Sequence, residues 1–108
     1  IGKNKLDMQI AFQRMKEIGG GIVLVQNGQV IFELALEIKG VMSEADFAFV
    51  MEKEGQLKQI LQDAGYRFHD PVFCLLFLSS THLPFIRVTQ QGIVDVLHLE
   101  IIVPANMR

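Results

Sequence analysis

Apolar residues recur at Met8, Ala11, Phe12, Met15 and Ile18, the three-and-four spacing that places side chains on one face of a helix. Asn4 and Asp7 can supply the oxygens that start such a helix, which runs to about Glu17 or Ile18. Gly19, Gly20 and Gly21 stop it, because glycine adopts the left-handed conformation at a helix end without a Cβ clash. The period then changes from helical to extended. Ile22 to Val25 is a continuous apolar run, Asn27-Gly28 is a two-residue hairpin signal, and Val30 to Ile38 alternate beyond it. Val30, Phe32, Leu34, Leu36 and Ile38 share one face of that second strand, while Ile31, Glu33, Ala35 and Glu37 share the other. The apolar face therefore needs a helix to cover it.

Phe47, Val50, Leu57, Ile60, Leu61 and Ala64 mark such a helix, with Ser43 and Asp46 read as its capping box and Gly65 as its stop. Asp70-Pro71 then supplies an N-cap and a first-turn proline ahead of VFCLLFL, where leucines outnumber β-branched residues. That composition favours a short buried helix over a strand across 71–80. Phe85 to Thr89, a Gln-Gln-Gly turn and Ile93 to Val96 predict a second hairpin, and His98 to Val103 a further strand before Pro104. Helices segregated from hairpins predict one α+β domain over 1–108, a two-layer sandwich of helices on a mostly antiparallel sheet. A doubly wound α/β arrangement is the alternative.

The composition supports a folded core. Half of the 108 residues are apolar and 20% are charged, far from the balance that keeps chains disordered. The formal charge of −2 lacks the basic footprint of a nucleic-acid partner. No apolar run approaches the roughly 20 residues of a bilayer span, and the N-terminus lacks a signal-peptide layout, so neither membrane nor secretion is expected. The single cysteine, Cys74, lies in an apolar run and is expected to pack as a small hydrophobe in a reducing, cytoplasmic setting. The chain begins with Ile1 rather than Met, and is read as a fragment of a longer protein.

Candidate chemistry is sparse. The histidines are His69, His82 and His98, without an HxH or HExxH motif. His98 and Glu100 would point the same way from a strand, but two ligands are too few for a metal, and a solvated strand face is the expectation. Gly19 to Gly21 follow a helix and precede a strand, the reverse of a phosphate-binding loop, so they are read as a helix stop with a tight entry into the sheet. Ser79, Ser80, Thr81 and His82 bring hydroxyls near an imidazole, yet no nucleophile elbow is present and the stretch is read as a loop before Pro84. Met8 and Met15 belong to the helix core rather than to a cofactor box. No catalytic, cofactor-binding or metal residue is assigned to any position.

Several phrases in order carry more information than any single motif: Asp7-Met8, IGGGIVLV from Ile18, GQV from Gly28, GVMS from Gly40, DPVF from Asp70, FLS from Phe77 and TQQGIVDV from Thr89. Together they resemble the C-terminal domain of bacterial-type adenine deaminases of the amidohydrolase superfamily, over nearly the whole chain. Departures fall at Ser80 to Leu83, at Gln90 and in the turn after Ser43, and leave adenine or a related amine-bearing compound as the parent's substrate. The resemblance implies a purine-metabolism hydrolase converting adenine and water to hypoxanthine and ammonia, with manganese or iron held in an upstream catalytic barrel of the same chain. None of that family's ligand motifs has a counterpart here. The fragment is therefore expected to be inactive alone and to have a docking or structural role, with Ile31, Ala35 and the loop from Thr81 to Phe85 as contact candidates. A homo-oligomer is compatible with this reading. A free-standing binding or oligomerisation module is the alternative, and a small effector-binding domain a third.

Overall fold

The computed structural model describes residues 1–106. The chain divides into two compact units, Ile1–Tyr66 and the segment from Arg67 onward. Among the described residues, three helices and two antiparallel sheets give the expected α+β arrangement, with the antiparallel pairing shared between a two-stranded and a three-stranded sheet.

In the first unit, helix α1 (Lys5–Ile18) starts where Asn4 Oδ1 accepts the Leu6 and Asp7 amide N–H groups, and Gly19 closes it with φ 78°. Strands β1 (Gly21–Gln26) and β2 (Gln29–Ala35) form the expected hairpin. Asn27 and Gly28 both have positive φ, 53° and 78°, the type I′ geometry whose twist suits a two-residue hairpin. Pairing passes from Leu24–Phe32 to Val25–Val30, so Ile31 has no residue opposite it and forms a bulge. The bulge corrects the simple alternation expected for β2. Val30 leaves the face shared by Phe32 and Leu34 and lies instead beside α1, among Gln9, Ile10 and Gln13.

The expected strand to Ile38 is shorter. β1 begins at Gly21, opposite Ala35, so nothing remains for residues 36 to 38 to pair with beyond one bond from Leu36 N–H to the Gly20 carbonyl. Ile38 pairs instead with Met42 across a tight turn at Lys39 and Gly40, both at positive φ. Helix α2 (Phe47–Asp63) starts at Asp46, whose side chain makes no capping bond. Ser43 Oγ is occupied by the Ala45 amide, 3.1 Å away, so the expected capping box does not form. The other end closes as expected. Gly65 N–H reaches the Gln62 carbonyl and Tyr66 N–H the Leu61 carbonyl, the paired bonds of a Schellman motif.

Successive strand residues face opposite ways, and β2 uses both faces. Glu33 is bonded by Arg14 of α1, whereas the Phe32 ring lies 5.5 Å from Lys53 Nζ of α2. Helix α1 thus packs on the Glu33 side of the hairpin, and α2 reaches the Phe32 side through Lys53. Phe32, Leu34 and Leu57 are the buried hydrophobic residues among those described, and Leu57 lies one turn beyond Lys53 on the same side of α2. Phe47, expected in this apolar stripe, is exposed instead, at the first turn of the helix.

In the second unit, Asp70 Oδ1 accepts the Val72 and Phe73 amides and Pro71 occupies the first turn of α3 (Pro71–Ser79), so the helical alternative for 71–80 is the one adopted. Its expected burial is not: Phe73, Cys74, Leu76, Phe77 and Leu78 are all exposed. Strands β3 (Ile86–Thr89), β4 (Gly92–Asp95) and β5 (Glu100–Pro104) pair antiparallel in that order. β5 starts two residues later than expected, because Asp95 Oδ1 captures the Leu97 and His98 amides and turns the chain.

Candidate functional site

The strongest polar constellation lies between α1 and β2. Arg14 points from the flank of α1 to the polar face of the hairpin, where its Nε and second terminal nitrogen donate to the two carboxylate oxygens of Glu33 at 2.8 and 3.0 Å. The remaining terminal nitrogen donates to Glu17 at 2.9 Å. Hydrogen bonds from Arg14 hold both carboxyls below the usual glutamate range, and the guanidinium is held more firmly protonated than usual, chiefly by Glu33. An open groove runs beside this network, lined by Gln9, Ile10, Gln13, Arg14, Glu17 and Val30. The one cation in its lining, Arg14, is already committed to two carboxylates.

Asp7 plays a similar part at the other end of α1. Its carboxylate accepts the Asn27 amide at 3.2 Å and the Gly28 amide at 2.8 Å, tying the first helical turn to the hairpin turn. Sequence reading missed both contacts. Asp7 was visible only as a possible helix starter, and pairing of Arg14 with Glu33 depends on how α1 lies across the strand, which periodicity along each element does not specify.

In the second unit, His98 and Glu100 do not share a strand face. His98 sits in the turn before β5, where its Nδ1 lies 2.8 Å from Asp95 Oδ2. The His98 bond is the main reason the Asp95 carboxyl titrates below the ordinary aspartate range. The ring is largely exposed, and no other imidazole or carboxylate joins the pair to complete a metal shell. Among the described residues no group of three or more His, Cys, Asp or Glu is placed to hold a metal ion. His69 and His82 are exposed. The Ser79 and Ser80 hydroxyls both donate to the Leu76 carbonyl, at 2.9 and 2.8 Å, which uses them to finish α3. Cys74, expected in the core, is exposed.

The triple glycine is structural. At Gly20, φ is 133° and an added Cβ would lie 2.7 Å from the Gly40 Cα, so the two backbones meet where no side chain fits. The glycines join α1 to β1 and bring the turn after β2 against that junction.

These features define an α+β domain in which Arg14, Asp7, Asp70 and Asp95 fasten the chain's own helices and turns. The family model of the adenine deaminase C-terminal domain matches residues 1–100, and the chain belongs to that family. It is 52% identical, over its whole length, to "Putative adenine deaminase YerA" of Bacillus subtilis, and 50% identical to "Putative adenine deaminase BH0637" of Halalkalibacterium halodurans, covering 19% of each relative. An "Adenine deaminase" of Kosmotoga olearia is 39% identical across 91% of this chain and 17% of its own. The chain thus spans less than a fifth of the length of the curated relatives it matches. No solved structure matches it significantly. No helix among the described residues is long and apolar enough to cross a membrane.

Proposed function

We propose that residues 1–108 form one domain of a longer cytoplasmic adenine deaminase, in which they dock against and complete a catalytic part held elsewhere in the polypeptide. The observation that carries this reading is the match to the family over residues 1–100, within relatives more than five times as long. The parent reaction is hydrolysis of adenine to hypoxanthine and ammonia, and the resemblance associates it with manganese or iron. The described residues do not offer a metal shell: no three His, Cys, Asp or Glu converge, and Glu17 and Glu33 are bonded to Arg14, Asp7 to the hairpin turn and Asp95 to His98. The reading therefore gives the domain no catalytic, cofactor-binding or metal-ligating residue.

Conversion of adenine by the full-length protein, followed as hypoxanthine formation and ammonia release, tests the activity. Arg14→Met and His98→Ala in that protein should each leave kcat within about threefold, because neither side chain meets a reacting atom. A fall of about a hundredfold in kcat at His98, with unchanged stability, would assign this domain a part in the chemistry and overturn the docking role.

A further inference from the structure

Helix α3 has an unusual surface. It contains no charged residue from Pro71 to Ser79. Val72 and Leu75 are half-buried, whereas Phe73, Leu76, Phe77 and Leu78 are 57%, 50%, 44% and 56% exposed, and Cys74 is exposed with them. Neighbouring helical residues are about 100° apart around the axis, so these five open positions sweep more than half of its circumference. A surface helix of a globular protein carries polar residues on its outer side, while a helix apolar all round belongs in an interior. The helix ends are satisfied locally, by Asp70 at one and by Ser79 and Ser80 at the other. What remains is apolar surface, with the Phe73 and Phe77 rings packed edge to face at 4.6 Å as its most prominent feature.

We propose that α3 is the element by which this chain is buried against the remaining, larger part of its own polypeptide. The inference rests on the deaminase reading and adds the surface that does the docking. The occupant follows from length: about four-fifths of each close relative lies outside the matched segment. Contacts between domains of one chain typically bury roughly 600–1,500 Å², ample to enclose a nine-residue helix. A tethered partner is also present at an effective concentration on the order of millimolar, which a second copy of the protein does not match in dilute solution.

Cys74 is the only cysteine of the chain and lies in the open arc, so it reports burial without any substitution. The full-length protein is pulsed with N-ethylmaleimide, native and in urea, and labelling of the Cys74 peptide is followed by mass spectrometry. Native labelling at least about tenfold slower than unfolded labelling is expected, since reaction then requires local opening. Equal rates overturn the proposal. The pulse is repeated after a hundredfold dilution, and protection that disappears would mean that a second copy covers α3, which also overturns it. Adenine turnover on the same sample separates the two readings. An active deaminase with an open Cys74 sinks the α3 interface and leaves the function standing, whereas a protected Cys74 in a protein without turnover supports the interface and sinks the function.

Discussion

Replacing Gly20 by valine tests whether the triple glycine is a junction or a ligand loop. Two costs are set by the structure. The first is conformational: φ of 133° lies where a β-branched residue is strained, by about 1–3 kcal/mol. The second is steric, because the new Cβ would lie 2.7 Å from the Gly40 Cα, a backbone atom that cannot swing aside, and such overpacking adds about 1–3 kcal/mol. The sum, about 2–6 kcal/mol, is a large share of the margin of a small domain. For a unit the size of Ile1–Tyr66 each kcal/mol lowers Tm by about 4–8 °C, so a fall of at least about 8 °C is expected. Gly19→Ala is the control. Gly19 has positive φ but nothing within 4 Å of an added Cβ, and its loss should stay near 1 kcal/mol. The chain has one tyrosine and no tryptophan, so Tyr66 fluorescence follows unfolding at the end of α2. A Gly20→Val variant with an unchanged midpoint, and with lost activity in the full-length protein, would refute the junction and favour a binding loop.

Asp7→Ala removes the acceptor of two turn amides and should cost about 1 kcal/mol in urea unfolding, whereas an unchanged midpoint would show that water replaces the carboxylate without loss. The Glu17 and Glu33 carboxyls are held below the ordinary value of 4.5 by Arg14, so they bind protons less readily in the folded than in the unfolded chain. Their stabilisation is complete above about pH 4.5 and is lost as pH falls through the lower folded values. The stability gap between wild type and Arg14→Met should therefore close on acidification, and a gap independent of pH from about 7 to 3 would count against the network. With α3 uncovered, the 108-residue chain should self-associate, and light scattering over a dilution series that shows only monomer would remove the argument for a covering partner.

Local signals reached the structure where a short stretch decides it. Asn27-Gly28 adopts the type I′ turn, Gly65 ends α2 through a Schellman motif, and Asp70-Pro71 opens α3. Each is settled by backbone geometry within a few residues. The misreadings share another origin. β2 stops at Ala35 because its partner strand ends, Val30 changes face because Ile31 bulges, and His98 leaves the strand because Asp95 binds its amide. Those outcomes depend on what lies opposite, which alternation along one strand does not record. The burial expected for α3 and Cys74 rested on apolarity, and apolarity states that a surface should be covered without stating by which part of the protein. For the site, the family resemblance was legible in ordered phrases from Asp7 to Val96, whereas the Arg14 and Asp7 contacts required the packing of α1 on the hairpin.

The bond from Asp7 to the hairpin turn also bears on the order in which the chain organises. It closes a loop of only twenty-one residues, and α1, β1 and β2 all lie within residues 5–35. Contacts so near in sequence cost little chain entropy, and such segments form before distant pairings. The helix and hairpin can therefore assemble as soon as they leave the ribosome, with Phe32 in place for the later approach of Lys53 on α2. Stopped-flow folding of Asp7→Ala reports this directly: a slowed folding limb places the contact in the nucleus, and a change confined to unfolding places it after the barrier.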